Sequence, residues 1–289
     1  MNLTNLSVIR DVMTRHGLQF QKQFGQNFLT NEAIPRRIAE CALENAAAPR
    51  YVLEIGPGIG CLTQELCDRA DRVVSLEIDR GLIPVLEETM AGKDNFTLLS
   101  CDAMKADLAK IWQEYFHNQP VLICANLPYN ITTPILMRFL QSGLPIRSIT
   151  VMVQKEVADR FCAAPGDDAY GAVTAVLSYY GKATRLFTVS AGNFMPRPKV
   201  DSAVMQIRLY DTKPVVPLDE ALMLNVVRAA FGQRRKTLLN ALSSGLSGYG
   251  KQELTDAVQR CGLSPNVRGE TMSIAQFAAL ADALCAART

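Results

Sequence analysis

The feature that most restricts the fold of this chain is a short apolar strand followed directly by a glycine-rich turn. Residues Tyr51–Ile55 read YVLEI, which is typical of a buried strand, and the turn is Gly56-Pro57-Gly58-Ile59-Gly60. Apolar residues at helical spacing follow over Leu62–Ala70. Because glycine has no Cβ, the backbone can turn tightly there and a ligand can approach its amide groups. This order of elements indicates an α/β fold that binds a nucleotide-type ligand.

Strand-like and helix-like segments continue to alternate through the first two-thirds of the chain. We predict strands at Arg72–Ile78, Phe96–Cys101, Pro120–Ala125 and Ser148–Val153, and helices at Leu82–Met90, Pro134–Leu140 and Ala172–Tyr180. Two later runs, Arg185–Ser190 and Ser202–Tyr210, are close enough to form an antiparallel pair at one sheet edge. The alternation predicts a mostly parallel, doubly wound sheet covered by helices, because parallel strands are joined by crossover helices.

The last part of the chain contains no convincing strand. Pro214 and Pro217 mark a linker, and helical spacing follows at Asp219–Phe231, Lys236–Leu242, Lys251–Cys261 and Ser273–Ala287. We therefore predict one domain over residues 1–213, with an N-terminal extension at 1–19. A small all-helical domain is predicted over residues 214–289.

Composition excludes several classes of protein. The chain has 289 residues, of which 48% are hydrophobic and 20% charged, so it is not a disordered protein. It contains no apolar run long enough for a signal peptide or a membrane span, and we expect a cytoplasmic protein without a membrane partner. The eight cysteines form no CxxC pair and there are only two histidines, so neither a metal site nor a disulfide framework is expected.

The glycine spacing and two acidic residues indicate the cofactor. Dinucleotide enzymes use G-x-G-x-x-G, but Cys61 stands at the third glycine position, which argues against a nicotinamide cofactor. The turn, including Gly56 and Gly58, suits S-adenosylmethionine, which carries no phosphate. Glu77 ends the second strand and can accept hydrogen bonds from ribose hydroxyls, and Asp102 follows the third strand and can accept from the adenine amine. Either acid alone is more typical of a solvated loop carboxylate, but the glycine turn and both acids on consecutive strands together favour a cofactor site.

The fourth strand runs into Asn126-Leu127-Pro128-Tyr129, the most informative stretch of the chain. An adenine exocyclic amine is a poor nucleophile until acceptors bind its hydrogens and free its lone pair. The Asn126 side-chain oxygen and the Leu127 carbonyl can act as those acceptors. Pro128 fixes the turn, and Tyr129 offers a ring on which an extruded base can stack. The alternative is that the four residues form an ordinary turn.

Candidate RNA contacts lie further along the chain. Phe194 is a candidate for the second face of the base, with Arg197 and Lys199 near phosphates in the same loop. A packed loop aromatic is the alternative for Phe194. The run Arg234-Arg235-Lys236 is a candidate for contacts with the RNA backbone, or else a solvated charged surface.

These motifs together resemble the ribosomal RNA adenine dimethyltransferases, in particular the KsgA-type enzymes of the bacterial small subunit. The resemblance covers Phe20 to the C terminus. It rests on six stretches: Phe24-Gly25-Gln26-Asn27-Phe28-Leu29, Glu54-Ile55-Gly56-Pro57-Gly58-Ile59-Gly60, Glu77-Ile78-Asp79, Asn126-Leu127-Pro128-Tyr129-Asn130-Ile131, the Phe194 loop and the basic run. It implies a Rossmann-like class I methyltransferase with a seven-stranded sheet. It further implies cofactor contacts at Asn27, Leu29, Ile78, Ala103 and Asn126.

The resemblance also implies a substrate and partners. The substrate would be two adjacent adenosines near the 3′ end of small-subunit (16S) rRNA, each dimethylated on the exocyclic amine. The partner would be a partly assembled 30S-type subunit, with a role in its biogenesis, and a monomer is expected. Residues 1–19 have no clear counterpart, and their role is left open.

Four alternatives are weighed against this interpretation. Related large-subunit resistance enzymes usually have isoleucine where Leu127 stands, and DNA adenine methyltransferases usually have a second proline in this tetrapeptide. An assembly or transcription factor that lost catalysis would not need both an intact cofactor pattern and an intact catalytic tetrapeptide. A nicotinamide dehydrogenase would require glycine in place of Cys61.

Overall fold

A computed structural model of the chain describes residues 1–18, 27–128, 131–233 and 235–287. The contacts divide the chain into two compact units. The first, here called the sheet unit, comprises Met1–Ala158 and Thr184–Leu209. The second, here called the helical unit, comprises Asp159–Ala183 and Tyr210–Thr289. No helix within the described ranges is long and apolar enough to cross a membrane.

The main sheet has seven strands, as predicted. They are β2 (Tyr51–Ile55), β3 (Arg72–Glu77), β4 (Phe96–Ser100), β5 (Val121–Asn126), β6 (Ile146–Gln154), β7 (Gly181–Val189) and β9 (Ser202–Leu209), in the order β4-β3-β2-β5-β6-β9-β7. The first five strands in this order are parallel to one another, and β9 runs antiparallel to β6. Two short strands, β1 (Phe28–Leu29) and β8 (Phe194–Met195), form a separate antiparallel pair. The mostly parallel α/β fold is therefore confirmed.

Amphipathic helices cover the strands of the sheet unit. They are α1 (Leu6–Arg15), α2 (Ala33–Leu43), α3 (Cys61–Cys67), α4 (Ile83–Thr89), α5 (Leu108–Phe116), α6 (Thr132–Leu140) and the start of α7 (Lys155–Phe161). Ile38 of α2 and Leu66 of α3 are fully buried and share a core cluster with Val52 and Leu122 of the sheet. Burial of such side chains is the main favourable contribution to packing helices on the strands.

The helical unit is built from α8 (Ala172–Tyr180), α9 (Glu220–Gly232), α10 (Leu238–Gly245), α11 (Lys251–Arg260), α12 (Ile274–Cys285) and the end of α7. The caps explain where two of these helices begin. Asp219 accepts a hydrogen bond from the amide of Leu222 at 2.9 Å, and Ser273 forms a capping box with Gln276. The four helices predicted after the linker are confirmed.

The helical unit also includes residues 159–183, which the predicted division at residue 213 placed in the first domain. Two hydrogen bonds show why the contacts group this way. The Tyr170 hydroxyl donates to the Met272 carbonyl at 2.9 Å, and the Gly166 amide donates to the Glu270 carbonyl at 2.8 Å. These bonds span about a hundred residues of sequence, so no local pattern indicates them.

Candidate functional site

A cavity of about 310 Å³ lies at the carboxyl ends of β2, β3, β4 and β5. In an open parallel sheet these strand ends meet at one edge, which is where such folds bind ligands. The residues that line it directly follow or end each strand: Ile55–Ile59 after β2, Glu77 and Ile78 at β3, Cys101–Met104 after β4, and Asn126–Pro128 at β5. The fold thus brings the separate sequence motifs to one place.

Every residue that the sequence assigns to the cofactor lines this cavity, and so do three of the catalytic candidates, of which Asn126 is in both sets. They are Asn27, Leu29, Gly56, Gly58, Glu77, Ile78, Asp102, Ala103, Asn126, Leu127 and Pro128. Tyr129 lies outside the described residues. The shared location is a finding, and the individual roles of these residues stay predictions.

The glycine turn has a geometry that other residues would strain. Gly58 and Gly60 have φ values of 63° and 96°. A Cβ on Gly60 would lie 2.7 Å from the Met90 side chain and 3.2 Å from Thr89 Oγ1. Glycine at this position therefore lets helices α3 and α4 approach closely while the turn borders the cavity.

Glu77 is buried and oriented by two backbone amides. The residue is 4% exposed, and its Oε1 accepts a 2.8 Å hydrogen bond from the Asp79 amide. Its Oε2 accepts a 3.4 Å bond from the Gly58 amide. Burial raises the pKa of the Glu77 carboxyl, and the two amide hydrogen bonds oppose that rise. The carboxyl group is thus held between the glycine turn and the turn after β3.

Asp102 occupies the equivalent position after β4. Its Oδ1 accepts a 2.8 Å hydrogen bond from the Met104 amide, and its Oδ2 lies 3.9 Å from Lys105 Nζ. This bond within the turn fixes the carboxylate at the cavity wall, where Ala103 and Met104 also lie.

Sequence reasoning missed Glu54 as a residue of the site. Its side chain lines the cavity, is 1% exposed, and accepts hydrogen bonds through Oε2 from Ser75 Oγ at 2.6 Å and Thr63 Oγ1 at 2.8 Å. Burial raises the pKa of the Glu54 carboxyl to about 7, although both hydroxyl groups oppose the rise. The sequence signal for Glu54 is an acidic residue inside the apolar strand YVLEI. Burial of a carboxyl group costs free energy, so such a residue marks a candidate site.

Asn126 ends β5, and its side chain is the candidate acceptor at this edge of the sheet. Within the described ranges, neither its side-chain amide nor the Leu127 carbonyl forms a hydrogen bond with the protein. The Leu127 amide donates to the Met152 carbonyl at 3.3 Å, and the Pro128 carbonyl accepts from the Ile131 amide at 3.2 Å. The turn is thus held by its neighbours while both predicted acceptors stay available to a ligand.

The charged groups that line the cavity indicate which kind of ligand it can bind. Its described lining contains three carboxyl groups, those of Glu54, Glu77 and Asp102, and no lysine, arginine or histidine. Such a wall attracts a cationic ligand and repels a pyrophosphate. Within the same described ranges, no group of three or more His, Cys, Asp or Glu residues is placed to hold a metal ion.

A model of the family described as ribosomal RNA adenine dimethylase matches residues 17–285. The chain belongs to the ribosomal RNA adenine dimethylase family. It is accordingly an S-adenosylmethionine-dependent rRNA methyltransferase, and the family and enzyme class predicted from the sequence are confirmed. The motifs that carried the resemblance thus identify the family correctly.

The chain is also similar in sequence to bacterial rRNA methyltransferases. The chain is 45% identical over 282 residues to a protein of Bacillus mycoides named ribosomal RNA small subunit methyltransferase A, covering 95% of this chain and 94% of the relative. A protein of the same name from Bacillus cereus has the same identity and coverage.

Solved structures agree with the fold. The 23S rRNA methyltransferase ErmE is 27% identical, with a TM-score of 0.67 over 90% of this chain and 100% of that chain. A dimethyladenosine transferase from Plasmodium falciparum has a TM-score of 0.72 over 87% of this chain and 95% of that chain, at 24% identity. The second comparison supports the fold alone.

Phe194 lies in the core of this dimethylase and does not line the cavity. It is 4% exposed, its backbone pairs with Leu29, and its ring belongs to the core cluster that includes Leu29 and Ile34. The structure therefore places Phe194 behind a cavity residue, in the position of a packed aromatic. Its predicted stacking on a base remains untested.

The predicted RNA-contacting cations are exposed. Arg197 and Lys199 lie on the surface of the sheet unit, and Arg235 and Lys236 lie on the surface of the helical unit. Arg234 lies outside the described residues. Exposure is what a phosphate contact requires, and it is equally what a solvated charge shows.

Proposed function

We propose that this dimethylase transfers methyl groups from S-adenosylmethionine to the exocyclic amines of two adjacent adenosines near the 3′ end of small-subunit rRNA. The support for the small subunit is the 45% identity to relatives whose name specifies it. We further propose that it acts in the cytoplasm as a monomer, on a partly assembled subunit whose biogenesis it assists.

The observation that carries the proposal is the anionic cavity that ends at Asn126 and Leu127. S-adenosylmethionine bears a sulfonium and an ammonium group as well as a carboxylate, so its net charge is positive. The described lining holds the carboxyl groups of Glu77 and Asp102 and no lysine, arginine or histidine, which suits such a ligand. The residues present therefore fit this cofactor, whereas the phosphates of a dinucleotide would be repelled.

Each wall of the cavity has a function in binding the cofactor. The two amides that hold the Glu77 carboxyl leave it facing the cavity, where it can accept from both ribose hydroxyls. Asp102 can accept from the adenine amine, and Ile78 and Ala103 line the same cavity. Asn27, Leu29 and the glycine turn supply further lining residues. Positioning of this kind reduces the entropy cost of the transfer.

Asn126 and Leu127 prepare the acceptor amine. The Asn126 side-chain oxygen and the Leu127 carbonyl can each accept one amine hydrogen, which draws the nitrogen towards tetrahedral geometry and frees its lone pair. Bound S-adenosylmethionine supplies an activated methyl group on a sulfonium. The apolar residues Ile131 and Ile135, of which Ile135 is fully buried, line this end of the cavity and help to exclude water from it.

Exposed cations of each unit are candidates for contacts with the RNA backbone in this proposal. Arg197 and Lys199 follow β8, and Arg235 and Lys236 follow α9. Each can neutralise a phosphate and release a counterion, which contributes affinity without selecting a base.

Methylation of large-subunit rRNA is the second candidate, because the 23S rRNA methyltransferase ErmE resembles 90% of this chain. The test is transfer of radiolabelled methyl groups to purified small subunits that lack adenine dimethylation, with large subunits and duplex DNA as controls. Label on small-subunit adenines is the expected result. Label confined to large subunits would replace the proposed substrate, and binding of the cofactor without any transfer would overturn the proposed activity.

A further inference from the structure

The N-terminal helix α1 packs beside the cofactor cavity. Ile9 and Val12 are fully buried, and Met13 is 4% exposed. These three side chains belong to one hydrophobic cluster, here called the α1 cluster, with the cavity-lining residues Phe28, Ile59 and Leu82. The extension whose role the sequence left open therefore supports three residues of the cavity wall.

An ion pair and a hydrogen bond, both to Glu88, hold the end of α1 against α4. Arg15 Nη1 lies 2.7 Å from Glu88 Oε1, and His16 Nε2 lies 2.7 Å from Glu88 Oε2. The Glu88 carboxylate thus contacts both residues with separate oxygens. The contacts fix where the chain leaves α1, and Leu18 follows directly.

From this anchored end, a first series of contacts leads to Glu77. Leu18 packs so closely on Gly81 that a Cβ there would lie 3.0 Å from Leu18 Cδ2. The Gly81 amide donates to Asp79 Oδ1 at 2.9 Å, and the Asp79 amide donates to Glu77 Oε1 at 2.8 Å. Leu18 therefore covers the turn that orients one oxygen of Glu77.

A second series reaches the other oxygen of Glu77. Phe28 belongs to the α1 cluster, and its Cε1 would lie 3.7 Å from a Cβ placed on Gly58. The Gly58 amide donates to Glu77 Oε2 at 3.4 Å. Both oxygens of this carboxyl group are thus held by turns that contact either the α1 cluster or Leu18.

We infer that residues 1–18 are a positioning element for the cofactor, which sets its affinity by holding the Glu77 carboxyl ready for the ribose. The inference rests on the proposed function, which assigns the ribose to Glu77. A binding group keeps its productive geometry only when the residues around it fix its orientation. Loosening the turn at Gly81 would let Glu77 Oε1 lose its amide partner and would weaken ribose binding.

The test is a double-mutant cycle read by calorimetric binding of S-adenosylhomocysteine, the demethylated form of the cofactor. Leu18→Ala should weaken binding about 5- to 10-fold in the parent chain but less than about 2-fold when Glu77 is already replaced by Gln. Leu186→Ala is the matched control, because Leu186 is also a partly buried leucine but lies on β7, at the edge of the sheet farthest from β3 and Glu77. It should change affinity less than about 2-fold.

A second variant keeps the test independent of folding defects. Glu88→Gln replaces a surface group without removing core volume. It releases Arg15 and His16, so it should weaken binding of S-adenosylhomocysteine as Leu18→Ala does. Unchanged affinity in both Leu18→Ala and Glu88→Gln would overturn the inference. So would a loss of affinity from Leu18→Ala that is equally large in the parent chain and in Glu77→Gln. In either case, binding of S-adenosylhomocysteine by the parent chain would leave the proposed function standing. Failure of the parent chain to bind S-adenosylhomocysteine would instead overturn the proposed function.

Discussion

Ser75 donates a 2.6 Å hydrogen bond to Glu54, and the two residues lie side by side on the neighbouring strands β3 and β2. Neither is more than 1% exposed. A buried carboxyl group loses its hydration, and the hydroxyl groups of Ser75 and Thr63 replace only part of the lost hydrogen bonding. The pair therefore makes an interior wall of the cofactor cavity sensitive to pH.

The first prediction concerns this sensitivity. Because the pKa of Glu54 rises from the ordinary 4.5 to about 7, the folded protein holds a proton that the unfolded chain releases between these values. The free energy of unfolding should fall as pH rises through this window, by about 3 kcal/mol from this group alone. Glu54→Gln should remove that part of the slope in urea titrations read by fluorescence of Trp112, the single tryptophan.

The control for this prediction is Glu87→Gln, which replaces an exposed carboxylate on α4. It should leave the pH dependence unchanged. Equal slopes in the parent chain and in Glu54→Gln would mean that Glu54 is already ionised in the folded protein.

The second prediction separates transfer from cofactor binding. Asn126→Ala should abolish methyl transfer and leave S-adenosylmethionine affinity nearly intact, because its side-chain oxygen is assigned mainly to the target amine. Glu77→Gln should show the opposite pattern, with affinity reduced about 10-fold or more through the weakened contacts to ribose. Transfer assays and calorimetry on both variants measure this, and an active Asn126→Ala would refute the assignment.

The third prediction concerns the basic run. Replacing Arg234, Arg235 and Lys236 with glutamine should weaken RNA binding and reduce the slope of log K against log salt by about 2. A control that replaces Lys251 and Arg260, exposed cations of the same unit, should change the slope much less. Filter binding over a range of salt concentrations gives the slope, and an unaltered value would mean that the run is a solvated surface.

The fourth prediction follows from the burial of Phe194. Phe194→Ala should destabilise the sheet unit by about 3 kcal/mol, because it leaves a cavity in the core. Phe187→Ala should cost about 1 kcal/mol, since that ring is only partly buried, under Arg37 at 4.0 Å. Urea unfolding read by Trp112 compares the two. A Phe194→Ala variant of parental stability would show that the ring contributes little to the core.

The sequence by itself determined the elements and the edge of the sheet at which the site lies. Residues Ala172–Tyr180 form the predicted helix with the same bounds, and the strand Tyr51–Ile55 ends where it was expected. The elements could be predicted because the spacing of apolar residues is a local property of the sequence. The location of the site could be predicted because the carboxyl ends of parallel strands lie at one edge of the sheet. Glu77, Asp102 and Asn126 could therefore be placed together without coordinates.

Only the tertiary structure decided which side chains meet. Glu54 faces the cavity, Phe194 enters the core behind Leu29, and α1 packs against Leu82. Residues 159–183 join the C-terminal helices in the same way. Each of these depends on contacts between segments far apart in sequence, whose free energy comes from burial and hydrogen bonding that no local pattern encodes.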